Sequence, residues 1–127
     1  MKRGVAPRVG RPTNAEVAAR EGSEGRVIRA LGHRTRRQIL LLLSDGEKPV
    51  HCLADHFEVS RPMVSKHLRV LVDAGLIEGR PVGRERHYRL LDGPHAETAL
   101  GLARADAAHH AQVERLRARL GREQRRS

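Results

Sequence analysis

Val59-Ser60-Arg61-Pro62-Met63-Val64-Ser65-Lys66-His67-Leu68-Arg69-Val70-Leu71-Val72-Asp73-Ala74-Gly75 is the stretch on which the fold of this chain turns. Ser60 can N-cap a helix by accepting from the exposed backbone N–H groups of the first turn, and Pro62 falls in that turn, where its missing donor costs nothing. Gly75 suits the left-handed position that closes a helix. At about 100° per residue, Met63, Val64, His67, Leu68, Val70, Leu71 and Ala74 share one broad arc, and Arg61, Ser65, Lys66, Arg69 and Asp73 take the other. His67 therefore belongs at the edge of a core, with one ring nitrogen bonded to backbone or phosphate, rather than against a base.

Upstream, Thr35 to Leu43 sets Ile39, Leu40, Leu42 and Leu43 opposite Arg34, Arg36 and Arg37 and stops at Ser44-Asp45-Gly46, the pattern of a helix with one buried side. After a turn over Gly46 to Pro49, Val50, Leu53, Ala54 and Phe57 recur at helical spacing, and the short link Glu58-Val59-Ser60 leads into the quoted run. Two short helices so joined are the helix-turn-helix signature. A second helix exposing Arg61, Ser65, Lys66 and Arg69 is built to enter a major groove: Arg forks onto guanine, Ser meets base or phosphate, and Lys meets phosphate. The alternative is an ordinary solvated face, and the position as second helix of the pair argues for reading.

Downstream the period changes to two. Leu76-Ile77-Glu78-Gly79-Arg80 and Arg86-His87-Tyr88-Arg89-Leu90-Leu91 read as strands around Pro81-Val82-Gly83-Arg84-Glu85, with Tyr88 and Leu90 on one face and His87 and Arg89 on the other. Arg80, Arg84 and Arg86 surround the turn of this hairpin, which can lie along a duplex backbone or in a minor groove. A flap with a solvated charged tip is the plainer reading. A lone hairpin is marginal in water, so its apolar face is expected to pack on the helices. Before the pair, Asn14 to Gly32 suggests a weakly patterned helix interrupted by Gly22 and Gly25.

The whole composition agrees with a polyanion partner. The chain has 127 residues, the size of one domain, with Lys plus Arg at 25 against Asp plus Glu at 15, a formal charge of +10, and almost no aromatic side chains. The excess is spread along the chain: five bases against three acids in 1–25, thirteen against eight in 26–92, and seven against four in 93–127. Nucleic acid, an acidic protein or an anionic membrane surface would all attract such a charge. A nonspecific nucleoid or RNA-binding protein is one alternative to sequence-specific duplex DNA; RNA readers display stacking aromatics, and the scarcity of rings here argues against it. No Gly-rich phosphate loop, nucleophile elbow or paired carboxylates are visible, which speaks against an enzyme. No apolar run could cross a bilayer and no secretory signal pattern follows the basic start, so a cytoplasmic protein without membrane association is expected. The single Cys52 agrees with a reducing compartment. The opening MKRGVAPRVGRP reads as a flexible basic arm; its Val9-Gly10-Arg11-Pro12 approaches the Arg-Gly-Arg-Pro core of minor-groove hooks but lacks the first Arg.

Leu31-Gly32-His33-Arg34-Thr35-Arg36-Arg37-Gln38-Ile39-Leu40, Leu53-Ala54, Val59 to Leu71, Ala74-Gly75-Leu76-Ile77 and Gly83-Arg84-Glu85-Arg86-His87-Tyr88-Arg89-Leu90 together resemble, in order and spacing, the ArsR-type winged helix-turn-helix repressors over about 26–92. The resemblance implies a mainly α fold with a small β-hairpin, a homodimer, repression at a short imperfect palindrome in double-stranded DNA, and groove contacts from Arg61, Ser65 and Lys66. To these the reading of the residues adds Ser60, Arg69, Arg80, Arg84 and Arg86. It also divides the chain into a basic arm over 1–25, a DNA-binding domain over 26–92 and a C-terminal dimerisation helix over 93–127.

Many members of that family sense metals. Where the arsenical branch has Cys-x-Cys, this chain has Pro49 and His51, and Cys52 is displaced by one position; Cys52 is expected as a small buried residue between solvent-facing histidines. The zinc-sensing branch uses Asp-x-His and His-x-x-Glu or His-x-x-His from paired C-terminal helices. Here Asp106, His110 and Glu114 fall on one stripe with different spacing, a candidate metal set set against plain solvation of the helix. No cofactor is therefore assigned beyond a possible metal ion, and the chain's affinity is with the non-metal branch. From Ala96 to Leu120, a 4-3 seam of Leu102, Asp106, His109, Val113, Leu116 and Leu120 predicts a pairing helix, with fraying after Gly121.

Overall fold

A computed structural model describes residues 13–126; the basic arm over 1–12, with Val9-Gly10-Arg11-Pro12, lies outside the described residues. The elements run α1 (Asn14–Leu31), α2 (Arg34–Leu43), β1 (Lys48–Pro49), α3 (Val50–Asp55), α4 (Arg61–Asp73), β2 (Ile77–Val82), β3 (Glu85–Leu90) and α5 (Pro94–Arg126). Helix α1 thus occupies the second half of the segment 1–25.

The ends of α4 follow from its sequence. The Ser60 hydroxyl accepts from the Met63 N–H at 3.3 Å and Pro62 sits in the first turn. At the other end the Gly75 N–H reaches the Val72 carbonyl and the Leu76 N–H the Leu71 carbonyl, with Gly75 at φ +74°. This is the double closure that a left-handed glycine permits, and it turns the chain straight into β2. Val64, Leu68 and Leu71 are fully buried and join Ile39, Leu40 and Leu43 of α2, Leu53 of α3, Leu76 and Ile77 of β2, and Ala96 and Ala99 of α5 in one aliphatic core. Met63 and Val70 stand at the margins of the apolar arc, and Met63 is exposed.

Helix α1 is not interrupted. A methyl at Gly22 or Gly25 would meet nothing, so neither glycine marks a close approach, and a glycine costs a helix only about 1 kcal/mol relative to alanine. Burial of Val27 and Ala30 holds the helix on. Its last carbonyls find side-chain donors from α2: Arg36 reaches Ala30 at 2.8 Å and Arg29 at 3.0 Å, and Arg37 reaches Leu31 at 2.7 Å. The arginines read as a polar face are therefore caps on the preceding helix.

The sheet has the order β1-β3-β2, all antiparallel. The segment Pro81 to Glu85 left between the expected strands is mostly strand and closes in a two-residue turn: Val82 pairs with Glu85, Gly83 has φ +64° and no described non-glycine residue has positive φ. Glycine at the first central position alone is what the II′ turn demands, and that turn matches strand twist. Pro81 sits within β2, an edge strand where its missing donor is tolerated. Strand β1, not anticipated, pairs Lys48 with Tyr88 and Pro49 with His87, so the hairpin is tied to the chain just before α3.

Helix α5 has 33 residues and runs through Gly121 to Arg126, where an end was expected. Gly121 is not among the left-handed glycines, so it forms no C-terminal closure. Ala96, Ala99 and Ala103 bury against the domain, while Leu102, Leu116 and Leu120 remain 45–52% exposed.

Candidate nucleic-acid interface

Ser60, Arg61, Ser65, Lys66 and Arg69 are all exposed on or at the start of α4, as the arc of charged residues requires. The hairpin, a wing beside this helix, brings Arg86 to the same surface: Ser65, Arg69, Asp73, Gly79, Arg86 and Tyr88 line one groove between α4 and the sheet. Arg84 is exposed in the turn itself. Gly79 is essential to this geometry, because it faces Tyr88 across the ladder and a Cβ there would come within 2.7 Å of the Tyr88 ring.

Carboxylates that the sequence reading did not select hold several of these cations. Arg80 donates to both oxygens of Glu47, at 2.9 and 2.8 Å, so it anchors the wing to the loop before β1. Arg61 donates to Glu85 at 3.0 Å, and Arg69 lies 3.9 Å from Asp73. Of the predicted cations, Lys66, Arg84 and Arg86 have no ion pair among the described residues. The hydrogen bond from Arg80 holds the Glu47 carboxyl below its ordinary range, and that from His51 does the same for Glu85. Both are therefore charged at neutral pH. The only sequence signal for Glu85 was an acid set between Arg84 and Arg86 beside the turn; Glu47 and Arg80 are 33 residues apart and gave none.

His67 is buried, 6% exposed, deeper than the edge position expected. Its Nδ1 lies 3.3 Å from the Arg36 guanidinium, and its ring stacks obliquely on His33, whose own Nδ1 accepts the Thr35 N–H to cap α2. Burial first, then the positive charges of His33, Arg36 and Lys66, push the His67 imidazole below its ordinary pKa.

The expected buried Cys52 is exposed. Val50, Leu53, Ala54 and Phe57 define the inward face of α3, and Cys52 stands on the side opposite to them. On α5, Asp106 donates no free carboxylate: Arg37 holds it at 3.1 Å while also capping α1. Arg34, Arg37 and Arg117 line the same recess as Asp106, His110 and Glu114. Among the described residues no group of three or more His, Cys, Asp or Glu side chains is arranged to hold a metal ion.

A helix pair with its charged second helix outward, flanked by a basic antiparallel ribbon, defines a winged helix-turn-helix domain. Residues 33–78 match the family model described as bacterial regulatory protein, arsR family. The chain is 36% identical over 86 residues to a probable mercury resistance operon repressor of Streptomyces lividans, covering 68% of each. It is 40% identical over 87 residues to the HTH-type transcriptional repressor SmtB of Mycobacterium tuberculosis, covering 68% of this chain and 61% of that one. Among solved structures, the homodimeric winged helix-turn-helix DNA-binding domain of Mb0332 from Mycobacterium bovis superposes with a TM-score of 0.64 at 29% identity, covering 80% of this chain and 92% of the other. The chain belongs to the ArsR family of bacterial regulatory proteins. It spans about three-fifths of the length of SmtB.

Proposed function

We propose that this chain is a cytoplasmic DNA-binding transcriptional regulator, not an enzyme, acting as a homodimeric repressor on a short palindromic operator in double-stranded DNA. The observation that carries the reading is the exposed arc of α4, where Arg61, Ser65, Lys66 and Arg69 project from the second helix of the pair beside the wing. Each protomer places that arc in a major groove, with Ser60 at the entering end, while Arg84 and Arg86 follow the adjoining backbone and Arg80 braces the wing. Relatives described as transcriptional repressors and a neighbour described as a homodimeric DNA-binding domain support it. A metal-responsive version of this regulator would first have to release Asp106 from Arg37.

Selection of bound duplexes from a random-sequence pool is the direct test, and enrichment of a two-fold symmetric site is the expected result. Contacts to about six to ten phosphates would lower affinity by roughly a thousandfold or more between about 50 and 200 mM salt. On the selected site, Arg61→Ala should lose preference at one base position, at a cost of about 1–3 kcal/mol, whereas Arg84→Ala should weaken all duplexes alike. Equal, sequence-blind losses from the two substitutions would remove the assigned division of labour.

A further inference from the structure

Three elements converge on one carboxylate at the edge of the interface. Glu85 is the first residue of β3, next to the two-residue turn of the wing. It accepts the backbone N–H of His51 in the first turn of α3 at 3.0 Å, and the His51 Nδ1 lies 2.7 Å from each of its oxygens. It also accepts Nη2 of Arg61, in the first turn of α4, at 3.0 Å. Exposed ion pairs are ordinarily worth little because both side chains move and water competes. Here the carboxylate is fixed by the main chain of one helix and the ring of that same residue before it meets the arginine, and its side chain is only 28% exposed.

We propose that Glu85 is a specificity-determining positioning residue: it pins the Arg61 guanidinium at the head of the recognition helix and ties that helix to the wing, so that Arg61 answers to a base edge and not to any passing phosphate. This rests on the reading of the chain as a duplex-DNA regulator. Arg61 spends a single Nη2 bond on Glu85, which leaves its other donors for a forked contact to guanine while one direction of swing is removed. The carboxylate is also a negative charge set among Arg61, Arg84 and Arg86, so it opposes close approach of a phosphate backbone that offers nothing in return. Glu85 is ionised in the neutral range as any carboxylate is, and hydrogen bonding from His51 extends that charge to lower pH. Discrimination is the difference between two affinities, and a fixed repulsive charge raises it by penalising the wrong partner.

The test uses the full chain, the duplex selected by the wild-type protein from a random pool, and a scrambled duplex of equal length. Glu85→Gln is expected to weaken binding to the selected duplex while binding to the scrambled duplex stays equal or tightens, so that the ratio of the two dissociation constants falls by roughly tenfold. In an Arg61→Ala background the loss on the selected duplex caused by Glu85→Gln should disappear, since the pinning acts through Arg61, while any tightening on the scrambled duplex, which comes from the repulsive charge, should persist. A ratio unchanged by Glu85→Gln overturns the proposal. So does a parallel loss on both duplexes, accompanied by a lower melting temperature and persisting in the Arg61→Ala background, because that marks a purely structural pair. If the wild-type protein selects no sequence, the functional reading itself fails and this inference goes with it, a result distinct from discrimination that survives the substitution.

Discussion

His67 shows how one side chain can carry a consequence for the entire domain. It lies on the buried arc of α4, against His33 and Arg36, where a second positive charge is unwelcome. Its folded pKa lies below the ordinary value of 6.5, chiefly because burial penalises the imidazolium. A depressed histidine pKa means that the unfolded chain binds the proton more readily. The associated stability is complete above about pH 6.5 and is lost as pH falls toward and through the folded value. Denaturant midpoints should accordingly drop as pH falls below about 6.5, ahead of the carboxylates Glu47 and Glu85, whose depressed values place their own losses below their ordinary 4.5. His67→Gln should flatten the upper part of that profile. A wild-type midpoint that is level across this range, or a slope that survives His67→Gln, would assign the proton elsewhere. The sequence placed His67 on the apolar side correctly, since helical angle is a local property. Its partners were out of reach, because Arg36 lies 31 residues away and only the packed fold brings the two together.

At the scale of elements, legibility followed the range of the forces that define each one. Helix α4 was readable end to end because its cap, its proline, its apolar arc and its closing glycine all lie within the segment itself. The hairpin was readable as a pair of strands around a glycine turn, but not the turn's length, since Pro81 and Val82 look like loop residues until the ladder is drawn. Strand β1 has two residues and no period to detect; only its pairing with Tyr88 and His87 makes it a strand. At the candidate interface, the exposure of the cations on α4 was legible from helical spacing, whereas Glu47 and Glu85 meet Arg80 and Arg61 through contacts that span the domain. Gly79 belongs to the same class. Its lack of a side chain lets the Tyr88 ring lie across β2 and the wing stay flat against the core. Gly79→Ala should push that ring aside and destabilise the chain by about 1–3 kcal/mol, the range for overpacking, or a melting decrease of several degrees. Tyr88→Ala should remove most of the extra penalty of Gly79→Ala when the two are combined. Strictly additive losses would show that the ring is not what the glycine accommodates.

Across the molecule, the distribution of burial on α5 fits the second copy that the proposed homodimer requires. At about 1.5 Å per residue its 33 residues make a rod about 50 Å long, and its inward alanines are used up by Ala103. Beyond that point Leu116 and Leu120 stand exposed in line with Leu102, on the seam beside the face already buried. An isolated helical overhang draws little stability from propensity alone, and burying an apolar stripe supplies it. Two-fold pairing also fits a palindromic site, because it presents two α4 helices to successive grooves about 34 Å apart. In an isologous interface one substitution acts twice. Leu116→Asp should therefore remove two buried leucines per dimer at about 1.5–3 kcal/mol each, weakening dimerisation on the order of a hundredfold or more. Sedimentation equilibrium measures that directly, and circular dichroism at concentrations where only the variant is monomeric should show helix lost from the end of α5 while the domain stays folded. On DNA the same variant should bind a half-site as the wild type does yet lose its advantage on the full palindrome. A dimer indifferent to Leu116→Asp would place the pairing surface elsewhere, and a wild-type chain that remains monomeric while gripping the full site would detach symmetry from recognition altogether.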